Sequence, residues 1–149
     1  MYKEFHFMSR YVESLALADR VYRLFMESVK FELKRLSAND INNVQAIILY
    51  NIGEERMTIG ELVQRKYYLG SNITYNLHKM VDSGYINIAQ AEYDKRASYV
   101  SLTEKGAELY KKLDLVFQKH LDAIKKDEIE DFSGILKQME LSIAKNIYH

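Results

Sequence analysis

The sequence predicts a mainly α-helical fold with one small β-hairpin, on three observations. Apolar residues step by three and four through most of the 149 residues, and proline is absent, so no ring breaks a helix. The period changes once: after Gly84, Ile86 with Ile88 and then Val100 with Leu102 alternate with polar neighbours. Between these two runs lies a polar, charged stretch, Ala91 to Ala97, of the kind that turns a hairpin.

Each element follows from its own pattern. Met8, Val12, Leu15, Ala18, Tyr22, Phe25, Val29, Leu33 and Leu36 trace one stripe, widened by Tyr11, Val21 and Met26. This predicts a long amphipathic helix over 8–36, with Ser9 as its cap. Asn39 and Asp40 break the pattern and are expected to cap the next helix, whose core face is Val44, Ile47, Ile48 and Ile52 and whose end is Gly53. Thr58 and Glu61 form a capping box for a third helix over Ile59, Leu62 and Val63. After the hairpin, Thr103 caps a helix carrying Tyr110, Leu113, Phe117, Leu121 and Ile124. A last helix starts near Asp127 with Ile129, Phe132, Leu136, Met139 and Ile143 on one face. Its first turn holds Asp127, Glu128, Glu130 and Asp131, where the helix dipole favours acids.

Composition narrows the function classes. Lysine plus arginine and aspartate plus glutamate both number 21, so the formal net charge is zero. That argues against a general polyanion binder, while a sequence-specific one needs positive charge only where phosphates lie. With no cysteine there is no disulfide, thiolate metal site or cysteine redox sensor. His6, His78, His120 and His149 do not stand at metal-ligand spacing, so no metal or other cofactor is expected. No apolar run approaches membrane-spanning length and Met1 to His6 does not read as a signal peptide, so a cytoplasmic protein without membrane contact is expected. There is no glycine-rich phosphate loop, no Gly-x-Ser-x-Gly and no His-Glu-x-x-His, and scattered carboxylates make poor acid–base pairs without a cleft. An enzyme is not expected.

The stretch from Ser71 to Gly84 is the most informative. Ile73, Leu77, Met80 and Val81 form one apolar stripe, and the opposite face carries Asn72, Thr74, Tyr75, Asn76, His78 and Lys79. Ser71 is a suitable cap, and Gly84 a suitable stop. A short helix with a dry back and a polar, non-acidic front suits a DNA major groove. The order helix, helix, helix, groove helix, hairpin, helix, helix is that of a winged helix-turn-helix, over about residues 40–103. It leaves the long helices of about 8–36 and 104–148 over. Their surplus apolar faces need cover, and a second copy is the commonest solution, so a single domain of 1–149 that forms a homodimer is expected.

At the hairpin the sequence resembles the MarR family of winged-helix transcriptional regulators. The family signature is Asp-x-Arg, a short strand, then Leu-Thr-x-x-Gly. Here Asp94-Lys95-Arg96 is followed by Leu102-Thr103-Glu104-Lys105-Gly106, with every fixed position matched. In the groove helix, Ile73-Thr74 and Gly84 fit, Met80 replaces a leucine, and Tyr75 replaces the usual arginine, which removes an arginine–guanine contact there. The proline common before the wing is absent, with Tyr93 near its place. The run Tyr67-Tyr68-Leu69-Gly70-Ser71-Asn72 resembles an alphaproteobacterial sub-group with regulators of the LdtR type. The resemblance implies a homodimer on a pseudo-palindromic double-stranded operator. It implies Arg96 in the minor groove held by Asp94, and repression relieved by a small aromatic effector.

The candidate sites follow. Phosphate contacts are expected from Arg65, Lys66, Tyr67 and Ser71. Base contacts are expected from Asn72, Thr74, Tyr75, Asn76 and His78, with Lys79 on the same face and Asp94, Lys95 and Arg96 in the wing. Asparagine suits adenine and the threonine methyl suits thymine, so the operator leans towards A·T. From Arg65 to Tyr99 there are five cations and three anions, a surplus of two per subunit. Arg20, Tyr22, Phe25, Met26, Asn43 and Tyr50 are candidates for an effector pocket, or else ordinary core or dimer interface. The polar front is also what a solvated helix face looks like. Asp94 with Arg96 is also a turn-stabilising ion pair, and Lys125-Lys126 reads as a helix C-terminus. A winged-helix module for protein contacts would show an apolar or acidic front instead, and an activator of the same fold would look no different.

Overall fold

The computed structural model describes residues 2–65 and 72–148. In chain order the elements are α1 (Tyr2–Arg35), α2 (Asn43–Ile52), β1 (Met57–Thr58), α3 (Ile59–Gln64), α4 (Ile73–Asp82), β2 (Ile86–Gln90), β3 (Ser98–Leu102), α5 (Glu104–His120) and α6 (Lys126–Tyr148). The chain divides into two compact units, residues 1–113 and residues 114–149.

The first unit is built round α2. Its apolar residues leave almost no polar side: Ala46, Ile47, Ile48, Leu49 and Ile52 are buried, while Val44, expected on the core face, is exposed. It packs against α1, α4 and β3. Val29 and Leu33 of α1, Leu62 of α3, Leu77 and Met80 of α4, Ile86 and Val100 of the hairpin, and Leu109 and Leu113 of α5 complete the core. The predicted hairpin is present, with Ile86 opposite Leu102, Ile88 opposite Val100 and Gln90 opposite Ser98. It gains a strand the sequence did not announce: β1 pairs with β3, Met57 opposite Val100, making a three-stranded antiparallel sheet of order β1-β3-β2. Two residues are too few to show alternation.

Four predicted boundaries change, one of them at α5, which stops at His120 and leaves Leu121 and Ile124 in the turns after it. The first helix begins at Tyr2 and Ser9 lies exposed inside it, because nothing between Tyr2 and Met8 breaks a helix. Asn42, not Asn39 or Asp40, caps α2: its side chain accepts from the Gln45 amide at 2.8 Å, and Gln45 Oε1 accepts from the Asn42 amide at 3.1 Å. Asp40 is engaged elsewhere. Asn72 occupies the cap position of α4, and the predicted cap Ser71 lies outside the described residues. The Thr58–Glu61 capping box is present. Thr103 Oγ1 accepts from the Gly106 amide at 3.1 Å. Gly53 and Gly84 take positive φ of 70° and 80° where the helices stop.

The stripe of α1 is buried only towards its C-terminal end. Met8, Val12, Val21 and Leu24 are exposed, as are Phe7 and Phe31. In the second unit, α6 has no buried residue, and Phe132, Ile135, Leu141 and Ile147 lie open. Its start is held by Glu128, which accepts from the Lys125 amide at 2.9 Å.

Candidate nucleic-acid interface

The helix α4 turns most of its apolar stripe inward: Leu77 and Met80 are 2 % and 1 % exposed and Ile73 is half-buried, while Val81, expected on the same stripe, is exposed. That fixes the opposite face as a surface. Asn72, Thr74, Tyr75, His78 and Lys79 are all exposed on it, and Asp82 comes only at the helix end. Lys79 lies 5.6 Å from the centre of the Tyr75 ring, so cation and ring form one unit. Asn76 differs from its neighbours. It is half-buried, and its side chain accepts from Gln45 at 3.2 Å and donates to the Asn72 carbonyl at 3.2 Å. Arg65 is exposed after α3, 3.5 Å from the Asn51 carbonyl. Lys66, Tyr67 and Ser71, and most of the run from Tyr67 to Asn72, lie outside the described residues.

The wing is a shaped turn. Asp94 Oδ1 accepts from the Arg96 backbone amide at 2.9 Å, the Asp94 carbonyl accepts from the Ala97 amide at 3.0 Å, and Ala91 donates to Ala97 at 2.9 Å. Gln90 adds a side-chain bond to the Lys95 carbonyl at 2.6 Å. Asp94 therefore grips the backbone of Arg96, and no ion pair between the two side chains is present among the described residues. Aspartate is suited to this because its short carboxylate reaches the amide two residues on. Lys95 and Arg96 project exposed from the tip.

The far end of α4 is tied by a cluster that sequence reading missed. Lys105 Nζ donates to the Ser83 carbonyl at 2.8 Å and to Asp40 at 2.5 Å, and lies 4.3 Å from the centre of the Tyr85 ring. Tyr85 donates its hydroxyl to Asp40 at 2.6 Å. The bonds from Lys105 and then Tyr85 hold the Asp40 carboxyl below its ordinary range. Burial, then the neighbouring Asp40, pushes the Tyr85 hydroxyl well above its own. Asp40, Tyr85 and Lys105 are far apart in sequence and share no periodicity, so only the fold brings them together.

The six candidate effector residues are partly accounted for by packing. Asn43 donates to the Met26 carbonyl at 3.3 Å, tying α2 to α1, and Tyr50 stacks on Tyr110 with centroids 4.9 Å apart. Phe25 and Met26 are half-buried, while Arg20 and Tyr22 are exposed. A cavity of about 510 Å³ in the first unit is lined instead by Leu36 to Asp40, Tyr85 and residues of α5 including Lys105 and Lys112. Among the described residues no three His, Asp or Glu side chains gather as a metal site, and no helix is long and apolar enough to cross a membrane.

Comparison with known proteins bears on this surface. A family model described as a winged helix DNA-binding domain matches residues 41–106, from the foot of α2 to the signature glycine of α5. An exopolysaccharide II synthesis transcriptional activator, ExpG, of Rhizobium meliloti (strain 1021) is 38% identical over 99 residues, 66% of this chain and 51% of ExpG. The chain thus spans about half the length of that curated relative. A MarR-like transcription regulator from Bacillus cereus ATCC 10987 superposes with a TM-score of 0.63 at 23% identity, over 93% of this chain and 98% of that one. Streptococcus pneumoniae FabT, in complex with DNA, gives 0.65 at 18% identity, over 91% and 98%. With the Asp94 and Leu102 motifs on the wing and at the foot of α5, the chain is a winged-helix protein of MarR-like fold, and its residues 41–106 match the model of a winged helix DNA-binding domain.

Proposed function

We propose that this chain is a sequence-specific transcription regulator that grips duplex DNA as a homodimer, with α4 in the major groove and the turn of residues 91–97 at the minor groove. The observation that carries the reading is the exposed front of α4. It offers Asn72, Thr74, Tyr75, His78 and Lys79 and no carboxylate before Asp82, beside a wing whose aspartate is spent on shaping the turn that displays Arg96. Base edges are read by Asn72, Thr74, Tyr75 and His78. Phosphates are met by Arg65 and Lys79, and by Lys66, Tyr67 and Ser71, which sequence order places just before α4. Asn76 has its side chain bonded on both sides and belongs to the support of the helix rather than to its reading face.

The exposed apolar surface supports the pairing of two copies. Val12, Val21, Leu24 and Phe31 on α1, and separately Phe132, Leu141 and Ile147 on α6, are too many large open side chains for water to face unaided. A two-fold dimer places the groove helices about one DNA turn apart, ~34–36 Å, on a pseudo-palindrome. Repression by occupying a promoter is the simplest consequence, relieved by a small aromatic ligand among Arg20, Tyr22, Phe25, Met26, Asn43 and Tyr50. Activation is the second reading, favoured by the activator ExpG.

The test is selection from random duplexes by the purified protein, with light scattering on the same sample. The reading expects enriched A·T-leaning inverted repeats with half-sites about one turn apart, and a dimer. No enrichment, or a monomer on single half-sites, refutes it. A reporter with the selected site placed either over or upstream of a promoter then gives the sign of regulation.

A further inference from the structure

Gln45 is the buried polar residue of the described core, 8 % exposed on a helix otherwise packed with isoleucine and leucine. The α2 capping box needs only an acceptor there, and glutamate closes such a box as well as glutamine does. The second half of the Gln45 amide has a different use. With Oε1 taken by the Asn42 amide at 3.1 Å, Nε2 points at Asn76 Oδ1, 3.2 Å away across 31 residues of chain. Asn76 must then turn its own Nδ2 to the Asn72 carbonyl at 3.2 Å, the same carbonyl that accepts the Asn76 backbone amide. Each orientation dictates the next, and glutamate at 45 would have no hydrogen to begin the series.

The series ends where α4 begins. Asn72 stands there in the left-handed region at φ 66°, and its side chain makes no capping bond. Its carbonyl is fixed by Asn76 instead, and Asn76 is fixed by α2. We infer that Gln45 is a positioning residue for DNA recognition: through Asn76 it sets the rotation and start of α4, and so the reading angle of Asn72, Thr74 and Tyr75. This rests on the DNA-binding reading above. The inference concerns geometry and not phosphate charge, so the loss of Gln45 must lower specific binding more than non-specific binding.

The experiment is a double-mutant cycle in the full chain with Gln45→Met, Asn76→Ala and both, on the selected operator and on a scrambled duplex at several salt concentrations. Thr58→Ala, which removes a cap on α3 and none of these bonds, serves as the comparison for lost stability. Each single variant is expected to weaken operator binding about three- to tenfold, the range of one hydrogen bond, with an unchanged salt slope. The scrambled duplex is expected to be bound as by wild type, and the double variant to lose no more than the worse single. Additive losses, equal losses on both duplexes, or the same discrimination loss in Thr58→Ala overturns the inference. If the wild type selects no duplex, the DNA-binding reading fails by itself. The cycle is then read on amide exchange at Asn76 to Met80, the first amides of α4 with acceptors within the helix, where coupled loss of protection upholds the positioning role and independent losses refute it.

Discussion

Gly106 is the sharpest place to test the packing. A β-carbon there would lie 2.1 Å from the Tyr85 carbonyl oxygen, 3.2 Å from its carbon and 3.4 Å from Leu102 Cβ. The first of these is impossible without movement, and the obstacle is backbone, which cannot swing aside as a side chain can. That carbonyl also accepts from the Thr103 amide at 3.0 Å. Gly106→Ala must push α5 and the turn at Tyr85 apart, losing that bond, about 1 kcal/mol, and straining a buried contact by about 1–3 kcal/mol. The expected cost is therefore about 2–4 kcal/mol, or roughly 6–12 °C in Tm for a chain of this size. Alanine's better helix propensity offsets at most about 1 kcal/mol of it. Gly134 supplies the internal contrast, since it lies exposed in α6 with nothing within 4 Å of a β-carbon. Gly134→Ala is expected to stabilise by up to about 1 kcal/mol. Urea and thermal unfolding of both variants decide the matter. If Gly106→Ala unfolds within about 0.5 kcal/mol of wild type, the close approach of α5 to Tyr85 is wrong.

Further outcomes follow from the same geometry. Arg96→Ala should weaken operator binding at least about tenfold and reduce the salt slope by about one, as loss of a phosphate-range cation requires, without altering the circular dichroism spectrum. Binding like wild type in a polarisation titration would remove the wing from the interface. Asp40 has a folded carboxyl held below its ordinary range by Lys105 and Tyr85. Its contribution is therefore present above the unfolded pKa of about 3.9 and lost as pH falls through the folded value. Unfolding of Asp40→Asn should accordingly show a flatter acid limb than wild type, by a small amount because the carboxylate is 47% exposed. Thr58→Ala should cost about 1 kcal/mol through loss of the α3 cap, read by urea denaturation. Val12→Asp, on the open face of α1, should shift sedimentation towards the monomer and leave the helical content unchanged.

What was legible in the sequence was what neighbours decide. Thr58 with Glu61, Gly53, Gly84 and Thr103 were readable because a cap or a stop needs residues within a turn of each other. The alternation of Ile86 with Ile88 and Val100 with Leu102 was readable because one buried face imposes a period of two. Reading failed where a side chain was claimed from far away. Asp40 is as good a cap as Asn42 by type, but Tyr85 and Lys105 hold its carboxylate, and Asn42 has Gln45 three residues on to complete the box. Asn76 looked like one more polar group on the front of α4, and nothing in the spacing shows that Gln45 takes its oxygen. The two-residue β1 carries no period at all.

These long-range ties bear on how a protein of zero formal net charge would recognise DNA. A surplus of two positive charges between Arg65 and Tyr99 gives little non-specific attraction. Affinity must then come from groove contacts whose strength depends on angle and distance, and a loosely held helix would waste them. The structure secures α4 at both ends with bonds to different partners. Gln45 on α2 reaches Asn76 and, through it, the Asn72 carbonyl at the start. Lys105 on α5 reaches the Ser83 carbonyl at the finish, while the Tyr85 amide bonds the Met80 carbonyl at 2.9 Å. The finish is tied to the helix that leads out of the winged lobe, and the start to the helix that packs on α1. A displacement of α1 or α5 therefore has a bonded route to one particular end of α4. Tilting the helix requires breaking one of these ties and keeping the other.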